Sequence, residues 1–134
     1  MQHVDAQFRF SASDLVGHLD CHHLTALDAA VARGSSSKPK IWDPVLQTLV
    51  ERGLAHEQAY VETLRQSGMP VVEIGGGGVN SSQVAETMAA MRSGADVIVQ
   101  AALLQGAWSG RADILRRIET PSALGAWSYE VIDT

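Results

Sequence analysis

The chain has 134 residues, of which 46% are hydrophobic and 19% charged, and it carries a net charge of −5. That length fits one small domain, and the composition excludes bulk disorder. The acidic balance argues against a protein that coats duplex nucleic acid, because such affinity comes from Lys and Arg meeting phosphates. It does not exclude a DNA enzyme, since a metal site needs carboxylates. The single cysteine, Cys21, excludes an internal disulfide and points to a reducing compartment. The opening MQHVDAQFRF is too polar for a signal peptide, and the longest apolar run, VIVQAALL, is too short to span a bilayer. A soluble cytoplasmic protein is expected.

The stretch SASDL reads as a helix start, with Ser11 or Ser13 as cap and Asp14 in the first turn. Leu15, Leu19, Leu24, Leu27, Ala30 and Val31 follow at roughly helical spacing, with a break near Gly17 or Cys21–His23 and an end at Arg33-Gly34. GSSSKPK reads as a flexible loop. Asp43-Pro44 opens a second helix, with Asp as cap and Pro at the first helical position. Leu46, Leu49, Val50, Leu54, Val61 and Leu64 line one face of it, and Ser67-Gly68 stops it. PVVEI is a short strand, GGGG a flexible turn, and SSQVAETMAAMRSG a capped helix. ADVIVQAALLQG and AWSGRADILRRI read as two strands joined around Gln105-Gly106. WSYEVIDT reads as the last strand, after the turn-rich ETPSALG. Helices followed by strands, with one helix between them, define an α/β or α+β class with a mixed sheet.

Two of those strands each deliver an aspartate, Asp113 and Asp133. Alternation puts Asp113 on one face with Arg111 and Leu115, opposite Ala112 and Ile114, and puts Asp133 with Tyr129 and Val131. Two carboxylates on neighbouring strands can hold Mg²⁺ or Mn²⁺, hard cations that take oxygen ligands. A cation so placed can activate water and neutralise a phosphate. His56 could add a nitrogen ligand and shade the site toward Mn²⁺. Gly53, inside the same helix, suggests close approach by another element, because a helical glycine costs roughly 1 kcal/mol against alanine.

Gly53-x-x-His56, Gly110-x-x-Asp113 and Glu130-Val-Ile-Asp133 resemble three successive motifs of the RecB-like nucleases in the PD-(D/E)xK superfamily. FSASDLVGHLDC is similar to the start of that family's prokaryotic members, with a Ser-x-Ser helix cap and a nearby cysteine. The resemblance covers nearly the whole chain, in the right order. It implies a restriction-endonuclease-like core, a mixed β-sheet flanked by helices, with N-terminal helices before the strands. It implies a Mg²⁺- or Mn²⁺-dependent DNA nuclease or exonuclease, acting on single-stranded DNA or duplex ends. His56, Asp113, Asp133 and the backbone carbonyl of Thr134 would be metal ligands, and Asp113 and Asp133 catalytic. The lysine of the D-x-K motif would follow Thr134. The resemblance therefore implies that residues 1–134 are a single nuclease domain truncated at its C-terminus, an N-terminal piece of a longer protein. Such domains are often fused to helicase or ribonuclease-H-like parts. An iron–sulfur cluster through Cys21 would need further cysteines, as one thiolate cannot build a four-thiolate site. A non-catalytic module of the same fold, binding nucleic acid or a partner, is the competing expectation.

Taken singly, the same residues have plainer readings. His56 alone is more often an ordinary helix histidine than a ligand, and Asp113 alone would pair with Arg111, Arg116 or Arg117. Those three arginines read equally as a basic edge for a DNA backbone or as solvated strand residues. Glu130 is expected to face solvent or a basic neighbour. Cys21 with His18, His22 and His23 lacks the separation of zinc-ligand pairs, and a solvated helix end is the better reading. GGGG lacks the Lys-Ser/Thr sequel of a phosphate loop.

Overall fold

Residues before Ser11 form a hairpin, the one pair of strands that the sequence patterning does not signal. A computed structural model describes residues 1–132, so Asp133 and Thr134 lie outside the described residues. Strands β1 (Gln2–Val4) and β2 (Gln7–Arg9) pair antiparallel around Asp5 and Ala6, whose φ angles are 50° and 61°. Two successive left-handed residues make a turn of the primed kind that matches strand twist. The chain divides into two units, Met1–Trp42 with Leu104–Gly110, and Asp43–Leu103 with the chain from Arg111 onward.

In the first unit, α1 (Ala12–Asp20) starts in a capping box between Ser11 and Asp14. Cys21, extended at φ −155°, separates it from α2 (His22–Ala32), the break expected near Cys21–His23. Gly34 at φ 77° follows the end of α2. Phe10 pairs its backbone with the tip of a later hairpin, through Ala107 O and Ser109 N at 2.8 Å each, and its ring lies 5.5 Å from Trp108.

In the second unit, α3 (Pro44–Gln66) is capped by the Asp43 carboxylate, which accepts from the N–H groups of Val45 and Leu46. Then come β3 (Val71–Glu73), α4 (Ser81–Arg92), β4 (Val97–Gln105), β5 (Trp108–Ile118) and β6 (Ser128–Ile132). Asn80 and Gln83 form the capping box of α4. The sheet runs β3-β4-β5-β6, with β3 parallel to β4 and β5 antiparallel to β6. It is a mixed sheet in an α+β arrangement. β4 and β5 meet at Gly106, where φ is 56°.

Each face of this sheet has its own core. Val61 and Leu64 of α3 pack with Val97, Val99 and Ile114, while Ala90 of α4 packs with Ile98, Ala101, Ala112 and Leu115. In β4 the faces alternate through Val97, Ile98 and Val99, as a pleated strand requires. Then the pattern slips by one, so that Ala101 faces α4. The slip occurs at Gln100, whose φ of 54° is left-handed, as in a β-bulge. A slip also occurs in β5. Strict alternation groups Ala112 with Ile114, opposite Leu115, yet Ala112 and Leu115 share the α4 cluster and Ile114 lies in the other. The expected face assignment around Asp113 is corrected accordingly, because an irregular pleat reassigns every residue beyond it.

Candidate functional site

Alpha-helical spacing decides which residue α3 presents to the sheet. Val61 and Leu64 are buried, and the position one turn earlier on that stripe is 57, four residues before Val61. Glu57 is half-buried there, whereas His56, one residue and about 100° around, is exposed. Gly53 is also exposed, and a Cβ placed on it would meet nothing within 4 Å. The close approach expected at Gly53 is therefore absent among the described residues, and the exposed turn simply carries a residue of low helix propensity.

Glu57 meets Gln100. The Gln100 amide donates to Glu57 Oε1 at 2.6 Å and, at a longer 3.4 Å, to Asp113 Oδ1. Its Oε1 accepts from Arg111 Nε at 3.2 Å. Donors on one side and acceptors on the other fix which end of the amide is which. Arg111 is held in turn by backbone carbonyls. Its Nη1 donates to Gly78 O at 2.9 Å, and its Nη2 to Ile74 O and Gln100 O at 2.6 Å each. Gln100 keeps a left-handed backbone that costs a non-glycine residue on the order of 1–3 kcal/mol, and Arg111 bonds both its side-chain and main-chain oxygens. A groove of about 300 Å³ runs beside this cluster, lined by Leu54, Glu57, Val61, Arg65, Glu73 and Gln100 among others. At its edge Arg65 pairs with Glu73 at 2.9 Å.

Of the residues singled out in the sequence, Asp113 lies half-buried in this cluster and His56 lies one helix position away from it, on an exposed face. Asp133 and Thr134 lie outside the described residues. The three arginines are placed differently from one another. Arg111 is the internal clip just described. Arg116 is exposed, opposite Glu130 across the β5–β6 pair. Arg117 donates to Gly94 O at 3.1 Å, pairs with Glu119 at 3.0 Å, and stacks over Trp127 with 4.9 Å to the ring centroid. Nearby, the Tyr129 hydroxyl donates to Ala95 O at 2.7 Å. Burial pushes this phenol above its ordinary pKa, opposed by Arg117 and reinforced by Asp96.

Sequence reasoning missed Glu57 and Gln100. The signal for Glu57 was a charged residue sitting in the apolar stripe of α3. The signal for Gln100 was a polar residue interrupting VIVQAALL. The tetraglycine turn also has a definite job: Gly78 O binds Arg111, and Gly75 O accepts from Gln83 Nε2 at 2.8 Å.

In the first unit, His18 stacks on His22 at 4.4 Å and its Nδ1 contacts Thr25 Oγ1 at 2.8 Å, while Cys21 is exposed. The N-terminal ammonium pairs with Asp14. No group of three or more His, Cys, Asp or Glu side chains able to hold a metal forms among the described residues. No helix among them is long and apolar enough to cross a membrane. Comparison with family models, with curated proteins and with solved structures returns no match.

Proposed function

We propose that this chain carries a RecB-like nuclease core of the PD-(D/E)xK type, with a restriction-endonuclease-like fold, that cleaves DNA phosphodiesters with Mg²⁺ or Mn²⁺. One observation carries the reading: Glu57 from α3 and Asp113 from β5 converge on a single amide beside an open groove. Their donor chemistry suits the group. Mg²⁺ is commonly bound through one or two carboxylates together with substrate phosphates, and keeps several waters. Asp113 would hold the cation, joined by Asp133 and the Thr134 carbonyl as the resemblance implies, with Glu57 as the helix carboxylate and His56 adjoining it. Such a cation supplies an activated water and neutralises charge on the phosphate. Arg111 fixes Gln100, and Gln100 fixes the two carboxylates. Arg116, exposed on β5, is the arginine of the three best placed to meet a DNA phosphate, while Arg111 and Arg117 act from inside the fold.

Titration calorimetry with Mn²⁺ tests this reading. The wild-type chain should bind, and Asp113→Asn should weaken binding at least tenfold; equal affinity in the variant refutes it.

A second reading is favoured by α3 itself, whose Leu46, Leu49, Val50 and Leu54 are each more than half exposed. Exposed apolar ridges of this kind mark interaction surfaces. They fit a non-catalytic module with a degenerate nuclease fold, and nucleic-acid or partner binding that persists unchanged in EDTA would favour it.

A further inference from the structure

We infer that Gln100 is the positioning residue of the carboxylate site, the group that sets where Glu57 and Asp113 stand relative to each other. The inference rests on the proposed metal site and adds to it a residue that is neither ligand nor acid.

Three observations lead to Gln100. It is polar in the middle of a strand whose other central residues, Ile98, Val99, Ala101 and Ala102, are all buried. Its backbone is left-handed at φ 54°, a conformation that side-chain-bearing residues seldom adopt inside a strand. The slip in the pleat it produces goes with a side chain that reaches Glu57 on the α3 side, whereas regular alternation from Ile98 would send position 100 toward α4. The bulge is thus what delivers the amide to the carboxylates.

The polarity of that amide follows from its partners. Arg111 has only donors to offer, so its Nε must meet the oxygen of Gln100. That leaves Nε2, with two protons, facing two carboxylates at 2.6 and 3.4 Å. A donor shared between two carboxylates does in the metal-free chain what a cation does when bound: it offsets their repulsion and keeps them close. Groups that orient ligands in this way typically change metal affinity by roughly 10- to 100-fold when removed.

The substitution Gln100→Glu isolates this role. It keeps the side-chain length and an oxygen for Arg111, exchanges the donor Nε2 for an acceptor, and adds one negative charge. Melting temperatures of wild type, Gln100→Glu and Gln100→Leu are measured in EDTA and in Mn²⁺, with Mn²⁺ affinities by calorimetry and Asp113→Asn as the control for the site. Gln100→Glu should melt several degrees below wild type in EDTA, where three carboxylates face one another, and recover in Mn²⁺. The added carboxylate is itself a ligand for a hard cation, so this recovery reports an ion beside residue 100, and the affinity of Gln100→Leu reports the positioning. Gln100→Leu should bind Mn²⁺ at least tenfold more weakly. If Gln100→Leu does not fold, Gln100→Met, of similar length and without a donor, takes its place. Should the donor-less variant bind Mn²⁺ as wild type does, or Gln100→Glu melt like wild type in EDTA, while Asp113→Asn weakens binding, the positioning role is overturned and the metal site stands. If the wild-type chain binds no Mn²⁺, the metal site falls and the inference falls with it.

Discussion

Replacing Thr87 by valine tests the packing that supports the bulged strand. Thr87 lies in α4 and is fully buried. Its hydroxyl donates to Gln83 O at 2.9 Å and accepts from the N–H of Ala102, in β4, also at 2.9 Å. Two residues after the left-handed Gln100, a strand N–H is therefore satisfied by a helix side chain. Thr87→Val keeps the shape and strands that N–H in the core. An unsatisfied buried donor costs about 1–3 kcal/mol, and the new methyl returns about 0.8 kcal/mol. The net loss is about 0.2–2 kcal/mol, centred on about 1 kcal/mol, or a fall in Tm of roughly 3–6 °C at that centre for a chain of this size. Urea unfolding followed by circular dichroism gives the first number. Amide exchange at Ala102, read by NMR, gives the mechanism: exchange should accelerate in Thr87→Val and stay slow in Thr87→Ser, which keeps the hydroxyl. A Thr87→Val protein as stable as wild type or more so, or one with unchanged exchange at Ala102, would refute the reasoning.

Two further predictions concern the first unit. Ala6→Gly should stabilise the β1–β2 hairpin by about 0.5–1 kcal/mol, since alanine at φ 61° bears a left-handed penalty that glycine does not; a lowered melting temperature would count against the turn. Burial pushes the Asp14 carboxyl up, but hydrogen bonds from the N-terminal ammonium and from Ser11 outweigh it and hold the pKa below its ordinary value. The stabilisation is therefore present above the ordinary aspartate pKa of about 3.9 and lost as pH falls through the lower folded value. Asp14→Asn should accordingly destabilise the chain at neutral pH and cost little in strong acid, and a penalty independent of pH from melting curves would contradict this.

Three of the four helices, α1, α3 and α4, have starts whose chemistry acts locally, whereas α2 begins at Cys21 with no side-chain cap and was signalled only by the expected break near Cys21–His23. The Ser11 and Asp43 side chains accept from first-turn N–H groups, and Pro44 suits the first helical position because it has no N–H to satisfy; the Asn80–Gln83 box of α4 starts one residue before the serines from which that helix was read. The long strands β4, β5 and β6 were legible from apolar runs between turn residues. The β1–β2 hairpin was not, because its strands have three residues each and its turn uses Asp-Ala where a primed turn favours Asn-Gly or Asp-Gly. At the candidate site, motif spacing singled out Asp113 and His56. Asp113 is half-buried beside Gln100, and His56 is exposed one position from half-buried Glu57, which the motif reading did not single out. Motif spacing counts residues along the chain; burial depends on the angle around the helix, and one residue turns that by about 100°. Gln100 escaped for a different reason. Alternation is a rule for regular strands, and nothing in VIVQAALL says where the pleat slips.

That slip explains why a polar cluster can sit inside so apolar a sheet. A regular strand would leave Gln100 on the α4 face, among alanines and isoleucine, with two amide donors and an acceptor to satisfy. The left-handed turn moves it toward Glu57, and the cost is offset by what Arg111 gathers. One guanidinium bonds the side chain and main chain of Gln100, the end of β3 at Ile74, and the glycine turn at Gly78. Only arginine offers donors in a fork wide enough to reach three backbone segments, and lysine would give a single point of contact. The carboxylates are therefore held at the end of a relay: backbone carbonyls fix Arg111, Arg111 fixes the amide, and the amide fixes Glu57 and Asp113. The geometry of the site depends on the path of the loop at residues 75–78 as much as on the acidic side chains themselves. This gives glycines that bear no reactive group a part in positioning the carboxylates of the proposed site.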